Sequence, residues 1–186
     1  MTPGPSTSPT LRGDRRYLSV VLGVPEHIQD RVLSWRAAQG LTSSAPPHIT
    51  VLITETDPRD PLPERIAAEL ARVCREVGPF RVGFDGAETF LPVSPVAYLR
   101  IADGGDHLTR LHRICADLLP SASPFDYHPH LTLAHGLDEE GLHRARRDFA
   151  SCHLSFRAEQ LQIFHGDRTG WRDLGALPLG PARWHP

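Results

Sequence analysis

Cysteine is scarce in this chain. Its 186 residues hold only Cys74, Cys115 and Cys152, an odd number at wide spacings with no Cys-x-x-Cys pair. That excludes a disulfide framework and a zinc ribbon, and it fits reduced, buried thiols in a cytoplasmic protein. No stretch approaches the roughly 20 apolar residues that span a bilayer, so no membrane partner is expected. The segment from Met1 to Asp14 is rich in Pro, Ser, Thr and Gly and lacks the apolar core of a secretory signal. It reads as a disordered tail, and residues 181–186 read as a second one. Runs of Lys or Arg are missing too, the net charge is -2 and the pI about 6.6. A protein that grips a long nucleic-acid duplex or strand presents a basic face, because phosphate neutralisation supplies most of the affinity. The expected partner is instead a small phosphorylated ligand or one end of an RNA.

What is present suffices for a core. The chain is 40% hydrophobic and 23% charged, ordinary values for a globular protein, and its length fits one domain over residues 15–180. Tyr17–Val24 (YLSVVLGV) reads as a buried strand. A helix from Pro25 to Ala38 follows, with Ile28, Val32 and Trp35 on one face. His48–Ile53 (HITVLI) is a β-branched strand. A helix beginning at Pro61 and Pro63 carries Ile66, Leu70, Val73 and Val77 and stops at Gly78-Pro79. Phe80, Val82 and Phe84 alternate as in a strand. The order then recurs: strand Val96–Ala102, helix Asp106–Leu119, strand His130–His135 (HLTLAH), helix Asp138–Phe149 and strand Leu154–Phe164, with Trp171–Leu177 as its pairing partner. Each half thus runs strand, helix, histidine strand, helix, strand, over approximately 17–90 and 96–177. The reading is an α/β (α+β) fold with a two-fold internal repeat and a cleft between the two lobes, a common place for a ligand.

The histidine strands carry the chemistry. They read PHITV (Pro47–Val51) and PHLTL (Pro129–Leu133). The bare pattern His-x-Thr is weak: with 11 histidines in the chain, roughly one chance match is expected. His107-Leu108-Thr109 is such a match, but it lies in a helix, where residues i and i+2 do not face each other. His153-Leu154-Ser155 is a near match with no preceding proline and no equivalent in the other half. On a strand, by contrast, i and i+2 share a face. His48 projects with Thr50 and His130 with Thr132, while Ile49, Val51, Leu131 and Leu133 face the core. Two polar pairs at matching places of a repeat are the strongest functional signal in the chain. Histidine takes up or delivers a proton near neutral pH, and two imidazoles on opposite sides of a phosphorus suit an in-line displacement. Which is acid and which is base is open at this level.

Other side chains are candidates for substrate contact. Phe125 and Tyr127 precede the second motif and suit base stacking, with core packing as the alternative. Arg100 and Arg168 are candidate phosphate donors, with surface exposure as the alternative. His128, His130 and His135 invite a zinc reading, but His135 lies five residues from His130 and should face the other way, and no carboxylate or Cys completes the set. No metal and no cofactor is expected.

The paired motifs, their separation by one half of the chain and the element order around them resemble the 2H phosphoesterase superfamily, in particular its 2'-5' RNA ligase-like group of RNA 2',3'-cyclic phosphodiesterases. Weaker echoes are GAETFLP around Phe90 and LQIFHGDRTGWRDLGALPLG near the C-terminus. The resemblance spans about Tyr17 to Gly180. It implies two lobes related by a pseudo-two-fold axis, each an antiparallel sheet with flanking helices. It also implies metal-free action on 2',3'-cyclic phosphates or 2'-5' phosphodiester bonds. On that reading His48, Thr50, His130 and Thr132 are catalytic, and Phe90, Phe125, Tyr127, His135 and Arg168 are substrate contacts. The partner would be a small nucleotide or an RNA 3'-end with a cyclic phosphate, taken up by a monomer. Many relatives carry Arg or Lys soon after the second motif; here the residues are Ala134-His135-Gly136, which bears on phosphate affinity or substrate choice. The competing readings are a module that binds RNA ends or nucleotides without turnover, and a zinc hydrolase.

Overall fold

The computed structural model describes residues 15–41, 46–57, 62–167 and 170–180; the two expected tails and Arg168 lie outside the described residues. In chain order the elements are β1 (Arg16–Gly23), α1 (Glu26–Ala38), β2 (His48–Thr56), α2 (Leu62–Cys74), β3 (Phe80–Thr89), β4 (Val96–Asp103), α3 (Gly105–Leu118), β5 (His130–His135), α4 (Glu139–Asp148), β6 (His153–Ala158), β7 (Gln160–Gly166) and β8 (Trp171–Pro178). The strands form one eight-stranded sheet in the order β6-β3-β4-β5-β2-β1-β7-β8. Neighbouring strands run antiparallel throughout. The fold is α+β, as the sequence leads one to expect.

Local chemistry sets the helix ends. α1 starts directly after Pro25, whose fixed φ suits a helix start, and buries Ile28, Val32 and Arg36 at a spacing of four. The Asp138 carboxylate accepts a hydrogen bond from the Gly141 N–H at 2.8 Å and caps α4. α3 is entered through Gly104 at φ 83°, where a Cβ would lie 2.3 Å from the Arg81 carbonyl oxygen. Gly104→Ala is therefore expected to lower stability by on the order of 2 kcal/mol, from left-handed backbone and clash together; urea unfolding of the variant checks this.

Two features depart from the sequence reading. The apparent strand Leu154–Phe164 is two strands: β6 pairs with β3, and β7 pairs with β1 and β8. Only Glu159 separates them, although six inter-strand steps lie between β6 and β7 in the sheet order. A flat sheet would place them roughly 29 Å apart, whereas two Cα steps span about 7 Å. The sheet must therefore curl until β6 and β7 meet at Ala158–Gln160. Second, the third strand of each sequence half changes sides. β3 adds to β4 of the second half, and β7 adds to β1 of the first. The two halves of the sheet, β2-β1-β7-β8 and β5-β4-β3-β6, are thus interleaved in sequence.

One continuous core joins all four helices to one face of the sheet. Across its middle, Leu22, Ile49, Leu131 and Leu99 stand in register on β1, β2, β5 and β4, each no more than 1% exposed. The opposite face of the same four strands carries the histidines.

Candidate active site

β2 and β5 meet at a single registered pair, Ile49 with Leu131. Because those two side chains are buried in the core, His48, Thr50, His130 and Thr132 lie on the other face. Extending the antiparallel register by one residue each way sets His48 opposite Thr132, and Thr50 opposite His130. Exchanging β2 for β5 and β1 for β4 maps one pair onto the other, so the four groups surround a pseudo-dyad. This is the grouping expected from the two His-x-Thr strands. Both threonines are half-buried.

Both imidazoles are oriented in the same way. The Nδ1–H of His48 donates to the Pro46 carbonyl at 2.8 Å, and that of His130 donates to the His128 carbonyl at 2.7 Å. Each bond spans two residues backward and fixes the tautomer, leaving Nε2 of both rings for proton transfer. Burial lowers the pKa of His48, opposed by its bond to Pro46 and reinforced by the charge of Arg36. Burial also lowers that of His130, to about 4; the bond to His128 opposes the shift, and His128, His135 and His48 add to it.

A β-bulge follows each motif. Val20 and Val21 of β1 pair with Leu52 and Thr50, which makes Val51 the extra residue of β2. Ala97 and Tyr98 of β4 pair with Ala134 and Thr132, which makes Leu133 the extra residue of β5. An extra residue shifts the parity of all that follow. His135, opposite Val96, therefore shares the face of His130 and does not point the other way, and its charge acts on His130.

The surroundings of the two histidines differ. Phe90 stacks on Tyr98 at 4.1 Å and meets the His130 ring in a T-shaped contact at 4.8 Å and 84°. The His128 ring stands 5.5 Å from Tyr98 and 6.2 Å from His130. Phe90 thus lies beside a motif histidine. Tyr98 stands opposite Thr132 and Arg100 opposite His130 on β4. The Arg100 guanidinium is held by the Asp85 carboxylate at 2.6 Å, with Glu88 at 3.4 Å, and Asp85 also meets His153 at 3.2 Å. The basic group nearest His130 in the sheet is thus paired with carboxylates.

The remaining candidates fall elsewhere. Phe125 is 62% exposed and makes no ring contact among the described residues. Tyr127 is taken up by packing: its ring lies on His112 at 4.0 Å with parallel planes, and its hydroxyl donates to the Thr50 carbonyl at 3.2 Å. Among the described residues no three His, Cys, Asp or Glu groups are arranged to hold a metal ion, and no helix is long and apolar enough to cross a membrane. Sequence reasoning missed Tyr98, Asp85, Glu88, Arg36 and His112. The signal for Tyr98 is its alternation with Arg100 on an otherwise apolar strand. For Arg36 it is a charge on the buried stripe of α1.

Fold and site together define an α+β protein with two dyad-related histidine–threonine pairs on one sheet face. A profile of the 2'-5' RNA ligase superfamily matches residues 24–170, and the chain belongs to that superfamily, a group of 2H phosphoesterases. Among solved structures, LigT of E. coli in apo form is 18% identical over 91% of this chain and 100% of its own, with a TM-score of 0.61. TT0787 of Thermus thermophilus is likewise 18% identical, over 90% of this chain and 100% of its own, at a TM-score of 0.60. Both likenesses are likenesses of fold. No curated protein matches the sequence.

Proposed function

We propose that the protein is a metal-independent phosphodiesterase that opens 2',3'-cyclic phosphates of nucleotides or RNA 3'-ends, or cleaves 2'-5' phosphodiester bonds. The observation that carries this reading is the pair of dyad-related imidazoles with both Nδ1–H groups committed to peptide carbonyls. Two Nε2 atoms flanking one bound group are what an in-line displacement at phosphorus uses. E. coli LigT has been crystallised with phosphate and with 3'-AMP, ligands of the class proposed here.

In hydrolysis of a cyclic phosphate, a water oxygen attacks phosphorus as its proton passes to one neutral Nε2. The bond from phosphorus to one ribose oxygen breaks, and the other Nε2–H delivers its proton to that oxygen. One imidazole takes the base role and the other the acid role, and the pH profiles of the single-histidine variants assign them. The hydroxyls of Thr50 and Thr132 donate to the non-bridging oxygens, where charge is concentrated.

The test is turnover of 2',3'-cyclic AMP, GMP, CMP and UMP by purified protein with EDTA present, resolving 2'- from 3'-phosphate products. Turnover that survives EDTA is expected. Thr50→Val and Thr132→Val, which keep the strand shape, should each lower kcat by about a hundred-fold. Inertness toward cyclic mononucleotides and cyclic-phosphate RNA ends alike, with nucleotide binding retained, would mean a binding module.

A further inference from the structure

The bulges that follow the two motifs put peptide carbonyls beside the histidines outside the regular ladder. Buried carbonyls need partners. Arg36 of α1 is 8% exposed, donates from Nε to the Leu133 carbonyl at 2.8 Å and from Nη2 to the Thr132 carbonyl at 2.9 Å. At the dyad-related places on β2, the His112 Nδ1–H donates to the Val51 carbonyl at 2.8 Å, and the Tyr127 hydroxyl donates to the Thr50 carbonyl at 3.2 Å. The His112 and Tyr127 rings are stacked, so the pair occupies the place that one guanidinium fills in the other half. The bonds also cross the dyad. α1 of the first sequence half holds the motif strand of the second, and α3 of the second half holds that of the first.

We propose that Arg36 and the stacked His112–Tyr127 pair are positioning residues for the two-histidine site, each a clamp on the carbonyls of the motif threonine and the bulge residue after it. The inference rests on the phosphodiesterase reading for its kinetic consequence, while its geometry stands apart from that reading. With β2 and β5 paired at one residue only, little else in the ladder fixes how Thr50 stands against His130, or Thr132 against His48. The clamps fix the peptide planes from which both threonines project. Arg36 differs from its counterpart in carrying a permanent charge, which acts on His48.

The variants are Tyr127→Phe, which removes one hydroxyl and keeps the ring stack, Arg36→Lys, which keeps the charge and loses the fork, and Arg36→Met. Each is measured for melting, for kcat and KM on the accepted cyclic nucleotide across pH, and for histidine ring titration by nitrogen NMR. In folded protein, Tyr127→Phe is expected to lower kcat about three- to ten-fold with KM within two-fold. Arg36→Met should lower it at least thirty-fold and move the His48 titration to higher pH. Arg36→Lys should keep that titration in place with an intermediate kcat. Folded variants with wild-type kcat and unmoved histidine titrations would overturn the proposal, as would losses that merely follow the unfolded fraction. A wild type inert toward every cyclic phosphate would instead overturn the phosphodiesterase reading, and the His48 titrations of Arg36→Met and Arg36→Lys still decide on the Arg36 clamp.

Discussion

His48→Ala and His130→Ala are each expected to lower turnover by about a hundred- to ten-thousand-fold, the range for loss of a positioned acid or base. The two losses should not multiply in the double variant. Acid and base act in one displacement, and once either is missing the other has little left to assist. KM should change much less, because the hydroxyls of Thr50 and Thr132 remain to hold the phosphate. The pH profiles distinguish the two variants. The base must be neutral and the acid protonated, so kcat/KM of the wild type should be bell-shaped in pH, with the His130 limb at about 4. The other limb belongs to His48, whose pKa burial also lowers, so both limbs lie below the ordinary histidine value. The optimum therefore lies on the acid side of neutrality. The variant that loses the acid limb lacks the base, and the variant that loses the alkaline limb lacks the acid. Retention of activity within a few-fold in either variant would remove that histidine from the chemistry.

The motifs were legible because strand periodicity alone puts His48 with Thr50 and His130 with Thr132. The element order was legible for the same reason, since each helix carries an apolar stripe and each histidine strand is rich in branched residues. The exchange of β3 and β7 between halves was not, because strand partnership is set by packing of distant segments and leaves periodicity unchanged. Nor does composition mark the break at Glu159: neither Gly nor Pro interrupts the run from Leu154 to Phe164. The bulge at Leu133 defeated the parity argument for His135, because one extra residue inverts the faces of all that follow and an apolar residue there looks like any other. Arg36 stood at a legible position, one helical step beyond Val32 on the buried stripe, and a charge on such a stripe is the sign of a bound partner. Tyr127 went the way of its packing alternative, on a ring face that only the tertiary fold supplies.

Acid should destabilise the free protein more than its ligand complex. The folded pKa of His130 lies near 4, below the ordinary value of 6.5, so the unfolded chain takes the proton first as pH falls. Stability is then full above pH 6.5 and declines between 6.5 and about 4, by on the order of 3 kcal/mol for this one group. His48 and His165, whose pKa values are also lowered, act in the same direction. Carboxylates contribute to acid unfolding in any protein, so the reading comes from a difference. The stability gap between wild type and His130→Ala, measured by urea unfolding, should shift in favour of the variant as pH drops from 7 to 4. A gap that stays constant would show that burial does not penalise the His130 imidazolium. The same physics links stability to catalysis. A dry, crowded imidazole is held neutral until an anion arrives, and a phosphate group between the two rings supplies the charge that favours their protonation. A nucleoside 2'- or 3'-monophosphate should therefore raise the unfolding midpoint more at pH 5 than at pH 7.5, and that excess should vanish when His48 and His130 are both replaced.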